Sequence, residues 1–197
     1  MKYRLVLIAC FILTGCSEKL SYRDFFRYFN TFQKGSFIEN SENGFKYQLQ
    51  YRPSDFLALS HLRGSNDISG SKIENTKKEF EDGLTFCLRI ATDSSEDVLK
   101  KNTFESNEYF ARIAALNIDF PYLILGVKDQ DTFTCQFHHF ERTYKIQPFI
   151  QVLFNIATPD KKVPDKILFK DDIFNEGRII EFPNFKDYMN HLPDLDL

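Results

Sequence analysis

Residues 145–156 read Lys-Ile-Gln-Pro-Phe-Ile-Gln-Val-Leu-Phe-Asn-Ile. Ile146, Pro148, Ile150, Val152, Phe154 and Ile156 fall on one side of an extended chain, with Gln147, Gln151 and Asn155 on the other. A period of two held this long marks a strand with one buried and one wetter face, the habit of antiparallel sheets. Pro148 has no N–H to give to a ladder, so this strand is expected at a sheet edge, or bulged at that residue.

Working outward, the same period recurs. Residues 122–127, 132–141, 166–170 and 178–182 read as further strands, and 84–91 as another. In 45–52, Phe45, Tyr47, Leu49 and Tyr51 alternate with Lys46, Gln48, Gln50 and Arg52 without error. Asn43-Gly44 just before that run is a hairpin signal, because both residues accept the positive φ of a tight turn. Helical spacing appears mainly upstream. Ser21 precedes Tyr22, Phe25, Phe26, Phe29 and Phe32, an amphipathic helix that Gly35 should end. Pro53, Ser54 and Asp55 open a short helix carrying Phe56, Leu57, Leu59 and Leu62, which Gly64 stops. Residues 64–71 read as an exposed loop, followed by a helical pattern through Ile73, Thr76 and Phe80. A brief helix is expected over 95–101 and a better one over 105–117, with Tyr109, Phe110, Ile113 and Leu116 on one face. The expected fold is α+β: a largely antiparallel β-sheet, with folding into a sandwich left open, and helices mainly in the N-terminal half.

The 197 residues carry 25 Lys and Arg against 28 Asp and Glu, with 22 Phe, 9 Tyr and no Trp. That length suits one domain with a single core. The mild acidity lacks the clustered basic surface that nucleic-acid binding requires, so nucleic acid is not an expected partner.

The N-terminus is the most specific part of the chain. Lys2 and Arg4 precede the apolar run Leu5 to Leu13, nine residues against the roughly 20 that a helix needs to cross a bilayer. At its end stand Leu13, Thr14, Gly15 and Cys16. This quartet resembles the lipobox of bacterial lipoproteins. The resemblance implies a signal peptide over 1–15, thioether lipidation of Cys16, a lipidated tether over 16–20 and one globular domain over 21–197. It further implies a membrane partner through the lipid. Loss of Lys2 and Arg4 takes the net charge from −3 to −5. Ser17 replaces the Asp that many diderm bacteria use for inner-membrane retention, which implies outer-membrane residence, on the periplasmic face or the cell surface. Residues 47–59, with a strand, Pro53 and an apolar helix, look like segments in uncharacterised lipoproteins of Bacteroidetes type. Since the aromatic helix starts five residues beyond Cys16, two placements stay open: its Phe face on the domain core, or in the membrane interface.

Two cysteines remain in the mature chain, Cys87 and Cys135, either as a disulfide or as two separate thiols. Ser69-Gly70-Ser71-Lys72 has the Ser-x-x-Lys spacing of penicillin-recognising enzymes but lacks a Lys-Thr-Gly strand. His138 and His139 should face opposite ways on a strand, with His139 on the side of Cys135 and about 13 Å from it, too far for one metal. Lys128-Asp129-Gln130-Asp131 and Lys170-Asp171-Asp172 read as solvated acidic turns without the Gly and distal Glu of a calcium loop. No Gly-x-Ser-x-Gly, phosphate-cradling glycine loop or His-Glu-x-x-His occurs, so no catalytic residue, metal ligand or cofactor is assigned. The expected function is that of a lipid-anchored, non-enzymatic cell-envelope protein that binds or assembles with another envelope protein. The alternatives are a glycan or small-ligand binding lipoprotein, and an envelope hydrolase using His61, His138 or His139 with a carboxylate.

Overall fold

The computed structural model describes residues 18–65, 68–94, 96–103, 105–142, 147–159 and 162–197. The signal segment, Cys16, Ser17, Ser95 and residues 145–146 of the long alternating stretch lie outside them.

Among the described residues, ten strands and six α-helices follow in the order β1 (Lys19–Leu20), α1 (Tyr22–Asn30), β2 (Ile38–Glu42), β3 (Phe45–Arg52), α2 (Ser54–His61), α3 (Gly70–Lys77), β4 (Gly83–Thr92), α4 (Ser106–Ile118), α5 (Phe120–Leu123), β5 (Ile124–Lys128), β6 (Asp131–Glu141), β7 (Phe149–Ala157), β8 (Lys166–Asp171), β9 (Arg178–Phe182), α6 (Phe185–Asn190) and β10 (Asp194–Leu195). Eight strands form one antiparallel sheet in the order β2-β3-β4-β7-β6-β5-β8-β9. The protein is therefore α+β with a sheet-dominated core. The sheet curls into a nearly closed barrel rather than a sandwich. Its two ends approach where Asn40 Nδ2 donates to the Glu181 carbonyl at 3.0 Å. Near-closure hides the unpaired edges that an open sheet would expose.

Alternation explains the barrel. Phe45, Tyr47 and Leu49 of β3, Phe86, Leu88 and Ile90 of β4, and Val152, Phe154 and Ile156 of β7 all point inward and are fully buried. Phe120 of α5 packs on Phe154 and Phe169 at ring distances of 5.5 and 5.8 Å. Phe185 of α6 packs on Phe86 at 5.2 Å toward the other end. A second core lies outside the barrel, where α1, α2 and α3 bring together Phe25, Phe29, Phe56, Leu59, Leu62 and Ile73. Phe25, Phe29 and Phe32 of the aromatic stripe are thus buried against the domain, so these three rings take the first of the two placements, on the domain core, while Tyr22 at the start of α1 stays 39 % exposed.

Several expectations need correction. β7 is central, between β4 and β6, and Pro148 sits just before its first residue, so the proline costs no ladder bond. Within the helix expected over 95–101, residues 98–101 form hydrogen-bonded turns instead, with the Lys100 and Lys101 N–H groups both donating to the Asp97 carbonyl. Phe110 leaves the predicted face of α4 and is 63 % exposed. Tyr122 belongs to one turn of helix, 84 % exposed, because Pro121 opens α5 before the strand begins. The short α6 and the parallel pair β1–β10 had no period long enough to read. That pair makes residues 19–20 part of the folded body, within the stretch 16–20 expected as a tether.

Candidate functional site

The outer face of β4, β7 and β6 forms the floor of a groove of about 500 Å³, walled by α1 and α2. Two cross-strand rows make that floor. Cys87, Leu153 and His139 lie in register, as do Arg89, Gln151 and Glu141. Cys87 and Arg89 face outward because the intervening Leu88 fills the barrel. His139 reaches the same face because the ladder shifts between Cys135 and Phe137. That bulge reverses the parity, so Cys135 packs toward the core and His139 does not share its side. Phe26, Phe56 and Leu57 line the wall, and Arg52 enters from the end of β3.

Three arginines dominate the charge. The Arg89 guanidinium is sandwiched between the rings of Phe32 and Phe149, at 3.7 and 3.9 Å from their centroids. The Gln151 amide, in the orientation that satisfies both neighbours, accepts from Arg89 at 2.9 and 3.1 Å and donates to Glu141 at 3.2 Å. Arg52 stacks on Phe56 at 4.7 Å and lies 5.7 Å from Phe32. Its Nε is buried with no hydrogen-bond partner. Arg63 stands over Phe26 at 5.7 Å. Among the described residues, no carboxylate lies within 4.0 Å of any of the three.

This crowding shows in the titration behaviour. Burial pushes the Arg89 pKa down to about 10; Cys87 opposes the shift and the like charge of Arg52 adds to it. Burial raises the Cys87 thiol above its ordinary value, while Arg52 and Arg89 pull it partly back. Cys87 is therefore a thiol at neutral pH and not an activated nucleophile.

The other singled-out residues do not converge. Cys87 and Cys135 are free thiols. β7 runs between their strands, a separation of about 10 Å at normal strand spacing, beyond the roughly 7 Å limit for a disulfide. His138 faces inward, stacked on Phe120 at 5.7 Å, and its Nε2 lies 3.0 Å from the Asn117 carbonyl. His61 packs edge-on against Phe80, and His191 Nδ1 lies 2.6 Å from the Asp187 carbonyl. Among the described residues no histidine hydrogen-bonds a carboxylate, and no three His, Cys, Asp or Glu side chains group around a point fit for a metal. Lys72 lies exposed near the start of α3, away from the groove.

Asp171, expected in a solvated turn, is fully buried. Its Oδ1 accepts from the backbone N–H of Ile173 and Phe174, at 3.2 and 2.9 Å, and its Oδ2 accepts from the Tyr47 hydroxyl and from Asn175 Nδ2. Asn175 also donates to Tyr47 Oη. This network stands beside a polar cup of about 430 Å³, whose lining includes Asn43, Asn102, Arg112, Asn175 and Arg178.

Arg52, Arg63 and Arg89 carry no sequence motif. Arg52 and Arg89 sit on the polar side of two alternating runs, and only the pairing of β3 with β4 brings those sides together. Compared with protein-family models, curated proteins and solved structures, the chain has no match, so the reading of this groove rests on its own residues.

Proposed function

We propose that this chain is a lipid-anchored, non-enzymatic protein of the cell envelope, held to the outer membrane through Cys16, whose folded domain docks another envelope protein in the groove between α1, α2 and the barrel wall. The observation that carries the reading is a half-open groove lined by phenylalanine and by three arginines that lack carboxylate partners among the described residues. Aromatic and arginine side chains are the residue types that concentrate binding energy at protein interfaces. The anchor rests on the order of Lys2 and Arg4, the apolar run, and Leu13-Thr14-Gly15-Cys16. Two or three acyl chains on one cysteine hold a protein to a bilayer far more firmly than one.

The polar cup favours a second reading, a glycan or small-ligand binding lipoprotein, because its lining mixes the amides of Asn43 and Asn102 and the Arg178 guanidinium with the carboxylates of Asp172 and Glu176, donors and acceptors that suit a hydroxylated ligand.

Fractionation of native cells tests the proposal. Cys16→Ser should move the protein from the membrane to the soluble envelope fraction, and mass spectrometry should find acyl mass on Cys16 of the wild-type chain. Formaldehyde treatment should yield a discrete adduct that Leu57→Glu, a change at the groove wall, abolishes. An unprocessed N-terminus, or adducts indifferent to Leu57→Glu, contradicts the reading.

A further inference from the structure

We infer that Arg52 and Arg89 form a clamp for a carboxylate carried beside an apolar side chain on an acidic segment of a protein partner; the inference rests on the docking reading above and supplies its chemistry. Two cations share the groove floor, and one pays for its place with a depressed pKa while the other leaves a buried Nε unbonded. An anion placed between them offsets the burial that chiefly depresses Arg89 and the smaller repulsion from Arg52, and gives the Arg52 guanidinium, whose Nε is otherwise unbonded, an opposite charge at its edge. The guanidinium planes are fixed beforehand by Phe32, Phe56 and Phe149, so little side-chain freedom is lost on binding.

The surroundings select the kind of anion. Leu57, Phe149 and Leu153 offer half-buried apolar surface within the same groove, suited to a hydrocarbon or aromatic side chain next to the acid. Glu141, in the row beyond Gln151, repels a second carboxylate at that end, so the acid belongs at the α1–α2 side. The chain as a whole is acidic, with a net charge of −3, so this basic groove is a local reversal that draws an acidic segment to one place.

Isothermal titration of the full chain in detergent provides the test, with N-acetyl-phenylalanine as probe, its neutral amide as control, and inorganic phosphate as an anion without an apolar part. The acid should bind at least about tenfold more tightly than the amide. Arg52→Gln should weaken it about tenfold, and Arg52→Lys, which keeps the charge but not the fork, by less. Arg89→Lys serves as the second variant, its thermal melt being compared with wild type to separate misfolding from lost binding. Equal affinity for acid and amide, or binding unchanged in Arg52→Gln, overturns the clamp. Phosphate binding as tightly as the acid overturns the apolar half of the assignment. Probe binding without groove-dependent adducts in cells supports the clamp and sinks the docking reading; adducts without probe binding do the reverse.

Discussion

At the scale of single residues, the barrel's polar contents decide more than its hydrophobic ones. Tyr47 Oη donates to Asp171 and accepts from Asn175, so Tyr47→Phe leaves both partners short of a bond. A loss of about 1–3 kcal/mol is expected in urea unfolding, against near-neutrality for a tyrosine whose hydroxyl faces water. Burial raises the Asp171 pKa above the ordinary 3.8, with the hydrogen bonds from Tyr47, Phe174 and Asn175 working against the shift. A carboxyl with a raised folded pKa contributes stability that is complete below its unfolded value and is lost as pH rises through the folded one. The stability gap between wild type and Asp171→Asn should accordingly be widest in acid and narrow toward neutrality. Urea midpoints across about pH 3 to 8 check the sign. None of this was legible beforehand. Lys170-Asp171-Asp172 has the composition of a solvated turn, and only closure of the barrel over Tyr47 removes the water.

At the scale of elements, long alternating runs and capped helices declared themselves. Ser21 caps α1, its hydroxyl accepting from the Asp24 N–H at 3.4 Å, and Asn43 and Gly44 take the positive φ values, 49° and 76°, that join β2 to β3. Phe25→Ala empties a fully enclosed site in the second core and should cost about 3–5 kcal/mol in denaturant unfolding. Gly83 opens β4 where an added Cβ would lie 2.7 Å from the Ile156 carbonyl and 2.5 Å from Asn155 Oδ1. Gly83→Ala should therefore lower the melting temperature, whereas Gly70→Ala, with open space around it, should not. The misreadings have local causes. Pro148 points to an edge or a bulge, yet it abuts β7 without entering it. Alternation puts His139 on the side of Cys135, whereas one irregular step in β6 inverts the count, and a period of two has no memory of such a step.

At the scale of the whole molecule, the groove illustrates what a sequence withholds. Its floor comes from β4, β6 and β7 and its walls from α1 and α2, segments that meet only once the barrel has formed. The anchor sets a second constraint at this scale. The Glu18 carbonyl accepts from Asp194 N–H and the Leu20 carbonyl from Asp196 N–H, each at 2.9 Å. With Cys16 lipidated as proposed, two residue steps, at most about 7 Å, separate the acyl-bearing residue from that fixed pair. A headgroup layer is about 5–7 Å deep, so β1, β10 and the start of α1 should rest among the headgroups. The chain has no tryptophan, which makes Tyr22→Trp a sole reporter. Its fluorescence should be quenched by brominated lipid, while Tyr122→Trp on α5, away from β1 and β10, should not be; equal quenching of both, or of neither, contradicts this orientation.

The docking claim meets its most direct trial in a photo-crosslinking residue placed at Leu57 of the full chain in native cells, with Tyr122 as the control position and the adduct mapped by mass spectrometry. One partner peptide that contains Asp or Glu beside an apolar residue, captured from Leu57 and absent from Tyr122 and from the Arg52→Gln chain, is the result predicted. Capture from both positions alike, or a captured peptide without a carboxylate, would contradict it.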